Sequence, residues 1–334
     1  MIRTKGPWAL GPGGTLQYGG PVPRTVSPAR RHTSRSRLLR IAVALVVLAA
    51  LGSYLTLQYI TGDKVVAGCV VESADGSSGT GRTYWMSPEQ AVNAATISAV
   101  GTSRGMPERA VTIALATALQ ESGLRNIEHG DRDSLGLFQQ RPSQGWGTEK
   151  QILDPVYSAG EFYRHLAEVP GYSRLPLTVA AQRVQRSAFP QAYAKHEPDA
   201  ALLAAALTGR APASLNCAPP RVTAVAADPA KVRTELVRAF GKDVLPATGR
   251  TPGAGAAGPA ASGTVAVPVS APRTAGDGGT AQRGWELAHW AVAQSEALRL
   301  GEVSYAGRVW EAGSGWRTEH KDSGTTDVRI RLAH

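Results

Sequence analysis

Two short motifs fifteen residues apart carry the clearest chemistry in this 334-residue sequence. The first is Glu121-Ser122, at the end of the apolar stretch TIALATALQES, and the second is Gly136-Leu137-Phe138-Gln139. A carboxyl group in apolar surroundings at the C-terminus of a helix keeps its proton more readily, because burial and the helix dipole both disfavour the anion. A protonated carboxyl group can donate to the oxygen of a glycosidic bond. We therefore predict that Glu121 is a general acid.

The two motifs resemble those of the soluble lytic transglycosylases and goose-type lysozymes, which carry Glu-Ser, a loop and then G-L-M-Q at this separation. The resemblance covers about residues 88–200. It implies a small helical lysozyme-like fold that cleaves the β-1,4 bond between N-acetylmuramic acid (MurNAc) and N-acetylglucosamine (GlcNAc) in peptidoglycan. It also implies that Glu121 needs no second catalytic carboxylate, because the N-acetyl group of the substrate assists. No cofactor is expected. A hydrolytic variant would need a base, and Asp131 and Asp133 are the nearest candidates in sequence.

The same resemblance implies a set of substrate-binding residues around the acid, namely Ser122, Gly136, Leu137, Phe138, Gln139, Trp146 and Gln182. Trp146 could stack on a sugar face or could equally belong to the core. The third motif of the family, A-Y-N-x-G, supplies a tyrosine beside the acid, and the matching stretch here is AAQRV at 180–184. This stretch lacks the tyrosine, although Gln182 could still bind a sugar amide. The departure leaves open an alternative function, a non-catalytic lysozyme-like protein that binds glycan strands or acts as a cell-wall scaffold.

Helix signals position the first motif. Ser87-Pro88-Glu89-Gln90 is a capping box that opens a helix to about Val100, and Pro107 opens the next helix, which Gly123 ends. Residues 154–168, 176–189 and 199–208 also have helical patterns. Because residues 69–218 contain no clear run of period two, we predict a mainly α domain there.

The two cysteines, Cys69 and Cys217, bracket this domain and are predicted to form a structural disulfide. With only two cysteines, a Cys₄ zinc site is excluded. The histidines form neither H-x-H nor H-E-x-x-H, so no metal site is expected.

The N-terminal region is basic and then apolar. Residues 1–40 carry eight Lys or Arg and no acidic residue, which predicts a disordered arm, and residues 41–60 form a twenty-residue stretch without charge, which predicts a transmembrane helix. Basic residues beside a membrane span favour a cytoplasmic N-terminus, so the residues after the span, which are most of the chain, are expected on the extracytoplasmic side of the cell membrane. This role accounts for the basic arm, and no nucleic-acid partner is expected.

The C-terminal region is predicted to consist of a linker and a small domain. Residues 246–283 are rich in Pro, Gly and Ala, a composition that predicts a flexible linker. The pattern of residues 284–334 predicts a small α+β unit. This unit faintly resembles a module of secreted actinobacterial proteins that ends in an H-V-H strand. The corresponding strand here, 327–331, has no histidine, which implies a wall-binding or structural role. The predicted fold is therefore mainly α: a transmembrane helix, a lysozyme-like domain, a linker and a small α+β domain.

Overall fold

The computed structural model describes residues 33–62, 67–73, 81–186, 190–218, 228–246, 263–269, 279–319 and 326–333. The chain divides into two compact units, Met1–Lys64 and Val65–His334. In the first unit, helix α1 spans Thr33–Gly62. Residues 1–32, most of the arm that we predicted to be disordered, lie outside the described residues.

The expected transmembrane helix at 41–60 needs correction. Within the described parts of the chain, no helix combines the length and the apolar character needed to cross a bilayer.

The second unit contains nine α-helices in its described residues. They are α2 Pro88–Ser103, α3 Glu108–Ser122, α4 Glu149–Ile152, α5 Pro155–Ala167, α6 Leu177–Gln185, α7 Glu197–Leu207, α8 Pro229–Phe240, α9 Gly279–Ala293 and α10 Ser295–Leu298. A 3-10 helix, Pro190–His196, links α6 to α7. The predicted capping box is confirmed, since Ser87 Oγ accepts from the N–H of Gln90 and Gln90 Oε1 accepts from the N–H of Ser87.

A three-stranded antiparallel sheet joins the two ends of the helical region. Its strands are β1 Gly68–Glu72, β2 Thr83–Met86 and β3 Leu215–Ala218, in the order β2-β1-β3. Cys69 lies directly opposite Cys217 in the register and is disulfide-bonded to it, which confirms the predicted pairing. Val71 and Leu215, on the same face as the cysteines, are fully buried.

A five-stranded antiparallel sheet forms the other part of this unit. Its strands are β4 Thr264–Pro268, β5 Leu300–Tyr305, β6 Arg308–Glu311, β7 Gly315–Thr318 and β8 Asp327–Leu332, in the order β4-β8-β5-β6-β7. β4 lies inside the stretch predicted to be a linker and pairs with β8 along its whole length.

The expectation of a mainly α fold is therefore wrong, because the protein is a mixture of helix and sheet. The strands missed in residues 69–218 are only four or five residues long. A strand of this length turns only two or three side chains toward the core, as Leu215 and Cys217 show in β3. Such a short alternation does not stand out from the apolar background of a sequence.

The helical region and the five-stranded sheet share one hydrophobic core. His289 in α9 is fully buried, and its Nδ1 donates to the carbonyl oxygen of Ala206 in α7 at 2.7 Å. Trp310 in β6 donates from Nε1 to Oδ1 of Asn216 in β3 at 2.8 Å. Described elements of residues 279–319 and 326–333, above all α9, thus pack against the helices that surround the two sequence motifs.

Candidate active site

The last turn of α3 holds Glu121 in a fixed position. Gly123 ends the helix in the left-handed conformation, with φ 63°. Two side chains of α2 bind the backbone just beyond it: Gln90 Nε2 donates to Gly123 O at 2.7 Å, and Asn93 Nδ2 donates to Leu124 O at 2.8 Å. The chain that leaves Glu121 is therefore anchored to a neighbouring helix.

A tyrosine binds the carboxyl group of Glu121. The hydroxyl of Tyr193 donates to Glu121 Oε1 at 2.6 Å, and the Tyr193 ring is fully buried while Glu121 is half-buried. Tyr193 lies on the 3-10 helix Pro190–His196. At the end of that helix, His196 Nε2 lies 3.2 Å from Gln120 Oε1. Two successive side chains of α3 are thus attached to the same short helix.

Tyr193 is the site residue that sequence reasoning missed. The stretch at 180–184, which we matched to the third motif, lies on α6, one element before the 3-10 helix. Ala192-Tyr193 is the only Ala-Tyr pair in the sequence and was the available signal.

The structure brings the two predicted motifs into contact. Ser122 Oγ donates to the carbonyl oxygen of Leu137 at 2.8 Å. The second motif forms a four-residue loop, which two backbone hydrogen bonds between Leu135 and Gln140 close at 2.9 and 3.0 Å. Gly136 opens this loop with φ 74°, and a Cβ there would lie 2.8 Å from Ile152 O. Only glycine meets both requirements.

Within the second motif, only Gln139 has a partly exposed side chain. Leu137 and Phe138 are fully buried, and Phe138 stacks on Phe162 with ring centroids 4.7 Å apart. The carbonyl oxygen of Phe138 accepts from Gln185 Nε2 at 2.7 Å. The two apolar side chains therefore hold the loop, and its polar outer surface comes from Gln139, whose φ is 49°.

Trp146 and Gln182 lie on two other parts of the helical region. Trp146 is half-buried and packs on His165 of α5, with ring centroids 4.2 Å apart. Burial, together with the charge of Arg164, lowers the pKa of His165. Gln182 is half-buried on α6, which packs against the 3-10 helix that carries Tyr193.

Asp133, one of the two candidate bases, is engaged in holding its loop. Its Oδ2 accepts from the N–H of Ser143 at 2.9 Å, and its Oδ1 accepts from Arg141 Nε at 2.7 Å. Hydrogen bonds from Ser143, and then from Arg141, hold the pKa of Asp133 well below its usual range. A carboxylate stabilised so strongly as the anion is a poor proton acceptor. Asp131, the other candidate, is exposed.

In the described residues, no group of three or more His, Cys, Asp or Glu side chains is placed to hold a metal ion. The chain matches no known family model and no curated protein. The assignment of function therefore depends on the geometry around Glu121.

Proposed function

We propose that this protein is an extracytoplasmic peptidoglycan-cleaving enzyme, a lytic transglycosylase in which Glu121 is the single general acid. The observation that carries this proposal is the hydrogen bond from Tyr193 to Glu121, formed where Ser122 also joins the second motif. The cell-wall glycan strand is then the substrate, and the lysozyme-like assignment rests on the same arrangement.

The hydrogen bond to Tyr193 gives the two oxygens of Glu121 different roles. Oε1 accepts from the tyrosine hydroxyl, which leaves Oε2 as the oxygen that can carry the acidic proton. Oε2 is then the oxygen that donates to the glycosidic oxygen between MurNAc and GlcNAc. A positioned acid of this kind accelerates bond cleavage about 10²–10⁴-fold.

The state of Asp133 supports a transglycosylase over a hydrolase. Asp133 already accepts hydrogen bonds from Arg141 and Ser143, so it is a poor base for activating water. In the proposed reaction, the C1–O bond of MurNAc breaks as Glu121 protonates the leaving oxygen, with the substrate N-acetyl group assisting. The MurNAc 6-hydroxyl then bonds to C1 and returns its proton to Glu121. No water is consumed, and the product is a 1,6-anhydro sugar.

The disulfide supports an extracytoplasmic location. Structural disulfides persist in oxidising compartments outside the cytoplasm. Cys69–Cys217 is buried at both cysteines and lies in the sheet next to the helical region. Peptidoglycan is present in the same compartment.

The direct test is digestion of purified peptidoglycan sacculi with the full-length protein, followed by mass analysis of the products. We expect muropeptides lighter by one water than hydrolysis products, and a Glu121→Gln variant that binds sacculi but releases none. Products that retain the water would replace the transglycosylase with a muramidase. Binding without any release by the unaltered protein would refute the enzyme and favour the non-catalytic glycan-binding alternative.

A further inference from the structure

Three exposed cations lie on the elements next to the candidate active site. Residues 169–196 contain no Asp or Glu, and they include Arg183, Arg186 and Lys195. These three side chains are exposed in the structure. Arg183 lies on α6, Arg186 follows its last residue, and Lys195 lies on the 3-10 helix that carries Tyr193. We call these three residues the basic rim.

The cations of the basic rim have no acidic partners among the residues that the structure describes. Arginines elsewhere are commonly paired. Arg210, for example, lies 2.7 Å from Glu108, and Arg164 lies 2.7 Å from Glu161. Other exposed cations without an ion pair, such as Lys150 and Arg233, have an acidic residue within two positions in the sequence, whereas the basic rim lies in a stretch without one.

The nearest carboxylates in sequence are already neutralised by other cations. Glu197 pairs with Arg109 at 2.7 Å, and Asp199 pairs with Arg82 at 3.2 Å. Both acidic residues lie at the start of α7, directly after the 3-10 helix. Burial lowers the pKa of His196, and the charge of Lys195 lowers it further. The carboxylates at the start of α7 therefore do not compensate the positive charge of the basic rim.

Two hydrogen bonds place the basic rim beside the motifs. Gln185, which precedes Arg186, donates from Nε2 to the carbonyl oxygen of Phe138 in the second motif at 2.7 Å. Tyr193, two residues before Lys195, donates to Glu121. A glycan strand that reaches Glu121 would therefore pass close to these cations.

We infer that the basic rim binds the free carboxylates of the peptide stems that project from a peptidoglycan strand. This inference rests on the proposed function, because the strand must occupy the site at Glu121. Guanidinium and ammonium groups form charge-assisted hydrogen bonds with carboxylates, and contacts of this kind at an exposed surface weaken as the salt concentration rises. The basic rim would make the enzyme prefer strands that still carry their stems over bare glycan.

The test is a binding measurement in the Glu121→Gln full-length background, so that the strand is not consumed. The rim variant combines Arg183→Gln, Arg186→Gln and Lys195→Gln. The control variant removes the same charge from exposed positions elsewhere, with Lys150→Gln, Arg233→Gln and Arg308→Gln. We expect the rim variant to bind stem-bearing sacculi about tenfold more weakly than the control, with a smaller dependence on salt.

Two further substrates distinguish the stems from other anions. On strands from which an amidase has removed the stems, the rim variant and the control variant should bind equally. Sacculi stripped of covalently attached phosphate polymers should bind both variants as untreated sacculi do. Equal binding of the two variants to stem-bearing sacculi would overturn the inference, and so would a difference that persists without stems or disappears with the phosphate polymers. Failure of the unaltered protein to cleave would instead refute the proposed function, which the digestion experiment measures separately.

Discussion

Replacing Tyr193 with phenylalanine would remove the hydroxyl that binds Glu121 and leave the buried ring in place. The hydroxyl donates to a carboxyl oxygen at 2.6 Å. A hydrogen bond between uncharged groups contributes about 0.5–1.5 kcal/mol to stability, and Glu121 is half-buried. We therefore expect Tyr193→Phe to lower the free energy of unfolding by about 1 kcal/mol, which shifts Tm by about 2–4 °C in a unit of this size.

The effect on catalysis should exceed the effect on stability. Without the tyrosine, the proton of Glu121 distributes over both carboxyl oxygens, and the carboxyl group is free to rotate. Small losses of position at a reacting group cost up to about 10²-fold in rate, so we expect muropeptide release to slow about 10- to 100-fold. In the Glu121→Gln background, Tyr193→Phe should cause no further loss, because the two residues act as one unit.

Tyr163 supplies a matched control for this prediction. It is also fully buried, and its hydroxyl donates at 3.0 Å to Ile97 O, a backbone group of α2. Tyr163→Phe should lower Tm to a similar extent and leave the rate of muropeptide release unchanged. The reasoning is refuted if the two variants release muropeptides at the same rate.

Three other variants test features of the fold. Removing the disulfide with Cys69→Ser should lower the free energy of unfolding by about 5 kcal/mol by the chain-entropy model, measured in denaturant against the unaltered oxidised protein; an unchanged midpoint would contradict it. Gly136→Ala should lower the free energy of unfolding by about 2–3 kcal/mol and Gly145→Ala by only about 1 kcal/mol, because both glycines have positive φ but only a Cβ at Gly136 would meet a backbone oxygen. Equal denaturation midpoints for the two variants would refute this argument. Burial lowers the pKa of His289 to about 4, so the unfolded chain takes up this proton at a higher pH than the folded protein does. Acidification from pH 6.5 to pH 4 should therefore lower the free energy of unfolding by about 3 kcal/mol more in the unaltered protein than in His289→Asn; equal losses in the two proteins would contradict this.

Local signals in the sequence predicted the elements that hold Glu121. The capping box at Ser87 and the stop at Gly123 each depend on residues within one or two helical turns. The spacing of the two motifs, which matches a known family, predicted that both lie around Glu121, although not that Ser122 binds Leu137. Such features are predictable because neighbouring residues, or a fixed loop length, determine them.

Features that depend on distant residues were not predictable from this one sequence. β1 and β3 pair across 148 residues, and the alternation of buried and exposed side chains in each strand is too short to be recognised from the sequence. Tyr193 was missed because its Ala-Tyr pair lies outside the stretch that we matched to the third motif, and the sequence alone does not show that the 3-10 helix after α6 contacts Glu121. Its partner, Glu121, lies 72 residues earlier in the chain.

The disulfide between β1 and β3 also determines how the chain carries mechanical tension. A force applied to segments outside residues 69–217 has a covalent path through the bond between the two strands, so it cannot pull the backbone between the cysteines out to its extended length. Those residues could extend to about 500 Å if the bond were absent. A pull on the flanking segments therefore cannot extend the backbone that carries Glu121 and Tyr193, even if the rest of the protein is stretched.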